Sequence, residues 1–278
     1  MTDAQSFPPE VEASLQAWRL TSDGGLIATP SSWVLPVRKN GLPAVLKIAR
    51  IPDERCGYLL MRWWDGEGAA RVLALADKAI LLERATGARS LSDMARSGDD
   101  DEACRILCRT AARLHRPRRE PAPELHPLTS WFQPLFDLAG RDRRLAPAAD
   151  AARRLLAEPQ AVCPLHGDLH HDNVLDFGDR GWLAIDPHGL LGERAFDYAN
   201  IFTNPDLADP SRPVAAVPGR FERRLAIVAE AAQLEPSRLL RWIVAWTGLS
   251  AAWFIGDGHE DAAAIDLSIN AIALRLLG

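Results

Sequence analysis

The stretch Pro164-Leu165-His166-Gly167-Asp168-Leu169-His170-His171-Asp172-Asn173 places six polar, chemically capable side chains within eight residues, His166 to Asn173. Two short apolar runs follow, Val174-Leu175-Asp176-Phe177 and Trp182-Leu183-Ala184-Ile185, separated by Gly178-Asp179-Arg180-Gly181. Apolar runs joined by a glycine-bounded turn predict a β-hairpin. With the turn centred between Asp179 and Arg180, Asn173 and Asp186 fall opposite one another at its open end, Cβ atoms about 5 Å apart. An amide oxygen and a carboxylate converging there make a hard-oxygen site suited to Mg²⁺. Asp168, five residues before Asn173, then lies on a loop at the edge of that site, placed to accept a proton from an incoming hydroxyl.

Upstream, the chain reads as β-rich. Trp33, Leu35 and Val37 alternate, Lys39-Asn40-Gly41 makes a turn, and residues 43–49 run extended. Asn-Gly between apolar runs is a strong hairpin signal. A helix is expected from Pro52, with Asp53 and Glu54 in its first turn and Leu59, Leu60, Trp63 and Trp64 along it, ending at Asp65-Gly66. Strands over 71–75 and 79–83 follow, closed off by Gly87. From Leu91 onward the pattern is helical, with helices expected over 101–116, 148–157, 221–233, 236–255 and 261–277. Trp242, Trp246, Leu249 and Trp253 form one helical stripe, which reads as core packing.

Composition narrows the classes. The chain has 278 residues, 47% hydrophobic, with 32 basic against 37 acidic side chains. That is an ordinary globular composition, long enough for a substantial core and two lobes. A net charge of −5 argues against nucleic-acid binding, which needs a basic surface. The uncharged stretch Trp242 to Gly256 is shorter than a bilayer span, so no membrane insertion is expected. Met1-Thr2-Asp3-Ala4-Gln5 has neither a basic nor an apolar signal-peptide region. Of the four cysteines only Cys104 and Cys108 are neighbours, at i,i+4, and they read as reduced buried thiols of a cytoplasmic protein. Only three of the basic residues are lysines, Lys39, Lys47 and Lys78, which makes a lysine in an apolar run worth inspecting.

The pattern H-G-D-x-x-x-x-N, then a hairpin and I-D, resembles the catalytic loop and metal-binding aspartate of aminoglycoside phosphotransferases, relatives of the protein kinases. The fuller string L-H-G-D-L-H-H-D-N-V-L, R-G-W-L-A-I-D-P-H-G-L and G-E-R-A-F-D-Y-A-N resembles the streptomycin 6-phosphotransferase and hydroxyurea phosphotransferase branch. The resemblance implies an α+β, protein-kinase-like two-lobed fold: a small antiparallel β N-lobe over 1–84 and a mainly helical C-lobe over 85–278. It implies ATP and Mg²⁺ as cofactors, and transfer of the γ-phosphoryl group to a hydroxyl of an aminoglycoside-like molecule, the streptidine ring of streptomycin foremost. Asp168 would be the catalytic base, and Asn173 and Asp186 would hold Mg²⁺ on the phosphates. Lys47 would contact the α/β-phosphates, held by Glu54. Leu82-Glu83-Arg84-Ala85 would be the hinge beside adenine, and His166 and Asp197 would support the catalytic loop. A monomer or weak homodimer with a small-molecule partner is expected.

Two departures stand out. D-F-G becomes Asp186-Pro187-His188, and the nucleotide loop lacks G-x-G-x-x-G, with Asp23-Gly24-Gly25 and Ser31-Ser32 flanking Pro30 instead. Taken alone, Lys47 reads equally as an edge-strand lysine and Glu54 as a helix-start charge. Asp257, Glu260 and Asp261, with Asp266 beyond them, read either as a solvated helix start or as an acidic pocket for a polycationic sugar; the resemblance places the antibiotic site there. Arg113–Arg119 and Arg141–Arg144 read as solvated helix ends. His259-Glu260-Asp261-Ala262-Ala263 lacks the second histidine of H-E-x-x-H, and Gly248-Leu249-Ser250-Ala251-Ala252 lacks the last glycine of G-x-S-x-G. The alternatives are a same-fold kinase with another hydroxyl substrate, a nucleotide-binding pseudokinase, and a zinc hydrolase built on the His-Asp cluster.

Overall fold

Alternation organises the first third of the chain. In the computed structural model, which describes residues 7–52 and 54–278, strand β3 (Ser32–Lys39) buries Leu35 and Val37, and β4 (Leu42–Ala49) buries Ala44, Leu46 and Ile48. Asn40 and Gly41 both take positive φ, 51° and 79°, the two-residue turn whose twist matches the strands it joins. Strands β1 (Leu20–Ser22) and β2 (Ile27–Ala28) both pair with β3, and β4 pairs with β6 (Ala79–Glu83), which pairs with β5 (Val72–Leu75). All these pairings are antiparallel. The N-terminal segment Met1–Ser6 and the expected first-turn residue Asp53 lie outside the described residues.

Two helices flank this sheet. α1 (Pro9–Trp18) is absent from the sequence expectation, which read the whole region as β-rich. Its signal was present: Pro9 at the first position, Glu10 and Glu12 in the first turn, and Val11, Leu15 and Trp18 on one face. That face closes a small core of sheet residues including Leu35, Val37 and Leu46. The crossing helix α2 (Glu54–Trp64) turns Tyr58, Leu60, Met61 and Trp64 the other way, into the larger core shared with the rest of the chain.

The remainder is mainly helical: α3 (Leu91–Met94), α4 (Asp100–Leu114), α5 (Leu128–Trp131), α6 (Gln133–Ala139), α7 (Ala146–Ala157), α8 (Phe196–Ala199), α9 (Arg220–Ala232), α10 (Pro236–Gly256) and α11 (Glu260–Leu277). α10 is the central element. By length and composition it could cross a membrane, yet 72% of its apolar window is buried inside the protein. Trp242, Trp246 and Leu249 are buried and Trp253 partly so, which makes the tryptophan stripe core. Cys104 and Cys108 are buried thiols of α4, and burial pushes the Cys104 thiol up to about 12.

Two small sheets frame the loop of interest. β7 (His126–Pro127), β8 (Val162–Leu165) and β11 (Leu190–Glu193) form a three-stranded sheet that periodicity did not reveal, because its strands are two to four residues long and carry Pro127, Pro164 and Gly192. β9 (Val174–Asp176) and β10 (Trp182–Ala184) form the expected hairpin with a shifted register. Val174 pairs with Ala184, and the Ile185 N–H donates to the Asn173 carbonyl at 2.9 Å. The connection is a short 3₁₀ turn over Gly178–Arg180 centred on Asp179, so Ile185, not Asp186, lies opposite Asn173. Asp186 is one residue beyond the ladder, with φ 60°.

The packing of α11 on α10 buries Asp266 completely. Asp266 shares the inward phase of Ala263, Asn270 and Ala273 and so leaves the acidic stretch that precedes it. Burial raises its pKa to about 8, with the Ser250 side chain offsetting only part of the cost. Because folding raises this pKa from 3.8, the contribution to stability is complete below pH 3.8 and is lost as pH climbs toward 8. Asp266→Asn should therefore flatten the loss of stability between pH 5 and 8, worth about 1 kcal/mol per pH unit, as read by denaturant melts at several pH values.

Candidate active site

A cavity of about 220 Å³ opens between the sheet and the β9–β10 hairpin. Its walls are largely apolar, with Val34, Val45 and Ile80 from the sheet and Leu175, Phe177 and Ile185 from the hairpin. Leu82, Glu83, Arg84 and Ala85 all line it. Glu83 is held by Arg180, and Arg84 donates to Asp23 Oδ2 at 2.5 Å. Asp23 also accepts from Arg38 at 2.9 Å, so the Asp23-Gly24-Gly25 segment is pinned beside Arg84. Thr29–Ser31, the turn between β2 and β3, is the one that reaches the polar end of the cleft.

At that end Lys47, 7% exposed, points inward from β4. Its ammonium donates to Glu54 Oε2 of α2 at 2.6 Å and to Asp186 Oδ1. One buried cation thus joins the sheet, the crossing helix and the end of the hairpin. The pairing also settles the edge-strand alternative, since β4 lies between β3 and β6. α2 rests directly on the loop after Asp186. A Cβ on Gly57 would run into the Pro187 carbonyl oxygen, and one on Gly189 would come within 2.6 Å of the Cys56 backbone.

A second cavity of about 290 Å³ lies beside the first, lined by Ser31, Glu54, Trp131, Asp168, Asp186 and His188 among others. Asp168 is the link between loop and cavity, with 30% of its side chain exposed. Both of its oxygens are engaged from behind: Asn200 Nδ2 donates to Oδ1 at 2.7 Å and Asn173 Nδ2 to Oδ2 at 2.9 Å. His170 Nε2 lies 3.5 Å from Oδ2. Burial of Asp168 favours its neutral form, but the facing His170 outweighs this and holds the carboxyl well below its usual range. Burial likewise disfavours a charged His170, and Asp168 more than compensates, raising its pKa.

The loop is tied down by Asp197, whose Oδ2 accepts the His166 N–H at 2.9 Å and Oδ1 the Gly167 N–H at 2.8 Å. His115 Nε2 lies 2.8 Å from the same carboxylate. Burial works against its ionisation, yet His115 and these backbone donors keep its pKa below the ordinary value. His166 packs on Trp64, donates from Nε2 to the Ile185 carbonyl at 2.8 Å and accepts the Asp168 N–H on Nδ1 at 3.2 Å. Burial lowers its pKa, in keeping with a neutral ring that both donates and accepts.

The donor set suits a divalent cation. Asn173 spends its amide N–H groups on Asp168, at the carbonyl and at Oδ2, both 2.9 Å, which leaves its side-chain oxygen facing away and available. Asp186, half-exposed, has a second oxygen beyond its Lys47 contact. Among the described residues no group of three or more His, Cys, Asp and Glu is arranged to hold a metal alone. Two oxygen donors completed by phosphates and water are the pattern Mg²⁺ prefers. His171 is buried with both ring nitrogens unpartnered, and burial drives its pKa far down.

Not every residue singled out from the sequence reaches these cavities. Asp257 and Asp261 are exposed where α10 gives way to α11, and Glu260 pairs with Arg144 at 3.1 Å. None of the three lines either cavity. They are tied to the second one indirectly: Trp253, one turn before Asp257, packs on Trp131, which packs on His188. Trp131 and Asn200 were missed as site residues, and Ser31 was read only as part of the nucleotide loop. Asn200 closes the F-D-Y-A-N run and carried no spacing signal; Trp131 arrives only through tertiary contact.

The sequence model of the aminoglycoside/hydroxyurea antibiotic resistance kinases matches residues 17–258. A streptomycin 3''-kinase of Klebsiella pneumoniae is 68% identical over 95% of this chain and all of its own length. A streptomycin 6-kinase of Streptomyces griseus is 32% identical over 91% of this chain and 84% of its own. In structure the chain is similar to aminoglycoside phosphotransferase APH(4)-Ia in a ternary complex with ADP and hygromycin B, with TM-score 0.64, 15% identity, and 95% and 97% of the two chains covered. A Plasmodium vivax ethanolamine kinase shares the fold at TM-score 0.62, with 13% identity over 97% and 85%. The two cavities meet at Asp186 and Pro187, and the family match across 17–258 places this chain in the aminoglycoside/hydroxyurea antibiotic resistance kinase family.

Proposed function

We propose that the enzyme transfers the γ-phosphoryl group of ATP to streptomycin, at the 3'' hydroxyl. The observation that carries the acceptor is the 68% identity, over 95% of the chain, to a streptomycin 3''-kinase. That likeness moves the expected target from the streptidine ring to the amino sugar whose positions carry double primes. An ATP donor and buried reduced thiols fit a cytoplasmic reaction.

Adenine would lie in the apolar slot against residues 82–85, and Lys47 would meet the α/β-phosphates. Asn173 and Asp186 would hold Mg²⁺, which supplies charge neutralisation on the phosphates. Asp168 would orient the acceptor hydroxyl and take its proton as the bond to phosphorus forms; its ionised state supports that role. Positioning and electrostatics are what such a transfer needs from the protein. His166 and Asp197 would keep the loop in register. Asp257 and Asp261, with Glu260 shared by Arg144, would form an acidic rim attracting a polycationic acceptor before it enters the Trp131–His188 cavity.

Asp168→Ala should lower streptomycin phosphorylation by about a thousandfold or more while Mg-ATP affinity stays within about threefold, measured by ADP release and by titration calorimetry. The wild-type product should carry phosphate on the 3'' oxygen in ³¹P–¹H NMR; phosphate on the 6 oxygen would overturn the positional assignment. Gly57→Ala should push α2 off the Pro187 carbonyl, cost about 1–3 kcal/mol of stability, and raise KM for ATP by disturbing the Lys47–Glu54 pair.

A further inference from the structure

Asp168 is held by a line of side chains that runs away from the cleft. Asn200 donates from Nδ2 to Asp168 Oδ1 at 2.7 Å. The direction of that amide is set by Asn204, whose Nδ2 donates to Asn200 Oδ1 at 2.9 Å and to the Asn200 carbonyl at 3.1 Å. An amide whose oxygen is already accepting must present its N–H groups on the other side, toward Asp168.

Behind Asn204 stands Arg224 of α9. Its Nη1 donates to the carbonyls of Asn204 at 2.7 Å and Ile201 at 2.6 Å. Its other edge grips Asp100, at the start of α4, through Nε at 3.0 Å and Nη2 at 2.6 Å. Asn200, Asn204, Arg224 and Asp100 are each at most 4% exposed. Burial on this scale makes each bond strong in geometry and costly to break, because a stranded partner finds no water. The planar guanidinium is thus bound on both edges, and the 200–204 segment cannot shift without disturbing α4 or α9.

We infer that Asn200 is a positioning residue for phosphoryl transfer: anchored through Asn204 to the buried Asp100–Arg224 pair, it holds the Asp168 carboxylate in the rotamer that faces the acceptor cavity. Asn173 alone does not do this, since it bonds one oxygen and would leave the carboxylate free to swing about that contact. Two amides, one on each oxygen, fix the plane of the carboxylate and leave its remaining lone pairs toward the acceptor. The inference rests on the reading of Asp168 as the group that orients the acceptor hydroxyl.

The test is steady-state kinetics of Asn200→Ala, Asn204→Ala and the double variant, on streptomycin phosphorylation and on acceptor-free hydrolysis of Mg-ATP. Asn200→Ala should lower kcat about tenfold to a hundredfold, with KM for ATP and for streptomycin within threefold. Asn204→Ala should show a smaller loss with the same split, and the double variant should be no worse than Asn200→Ala alone, because both act along one path. Asn200→Ser, smaller but polar, should give the same split and serves if the alanine variant does not fold. An Asn200→Ala enzyme with kcat within twofold of wild type, losses that add in the double variant, or a fall in kcat matched by a rise in KM for ATP would each overturn the inference. A wild type that ignores streptomycin but hydrolyses Mg-ATP through Asp168 would refute the acceptor assignment and leave the positioning role to be read on hydrolysis. Hydrolysis insensitive to Asp168→Ala, with no transfer, would overturn both.

Discussion

One buried ammonium, Lys47, is shared by two carboxylates that belong to different parts of the molecule, Glu54 on the crossing helix and Asp186 after the hairpin. Lys47 and Glu54 are poorly solvated while Asp186 is half-exposed, so the pair inside the cleft is the part that charge must hold. Lys47 without Glu54 could swing toward solvent; Glu54 and Asp186 without Lys47 would repel one another. The cleft between sheet and helices has its shape because three elements must each present a side chain to one point. The excess of one carboxylate there also leaves a negative site facing the cavity, the condition under which a divalent cation and phosphates can enter together.

That polar knot is kept in place by backbone packing. Gly57 and Gly189 let α2 and the 187–189 loop meet backbone to backbone, so the helix carrying Glu54 has little room to move relative to Asp186. In protein kinases the corresponding helix and loop are controlled by phosphorylation. Here Asp186-Pro187-His188-Gly189 turns directly into β11, whose pairing with β8 leads back to the loop it must face.

The second half of the site depends on buried carboxylates with both oxygens paired. Asp197 takes two backbone N–H groups and His115; Asp100 and Arg224 satisfy one another and two carbonyls. Such groups add little net stability compared with apolar residues of the same volume, and their worth lies in having one acceptable geometry. Asp266 is the contrasting case, a buried carboxyl with no partner of comparable strength, and its raised pKa records the cost.

Much of this was legible in the residue order. Local periodicity marked the long helices to within two residues and the β3–β4 and β9–β10 hairpins, because amphipathic spacing and Asn-Gly or glycine turn chemistry act over a few residues. The H-G-D-x-x-x-x-N spacing and the lysine in an apolar strand picked out the residues that converge on the cleft. What the order of residues left undecided needed long-range contact. The hairpin register slipped by one because a 3₁₀ turn centred on Asp179 looks, in sequence, like a turn between Asp179 and Arg180. The β7–β11–β8 sheet joins segments tens of residues apart with strands too short to show a period. Asn200 and Trp131 enter the site only when α8 and α5 are packed beside the loop, and Asp266 leaves the acidic stretch only when α11 turns that face onto α10. Local chemistry is written in neighbouring residues, whereas which buried polar group meets which partner is settled by packing across the whole chain.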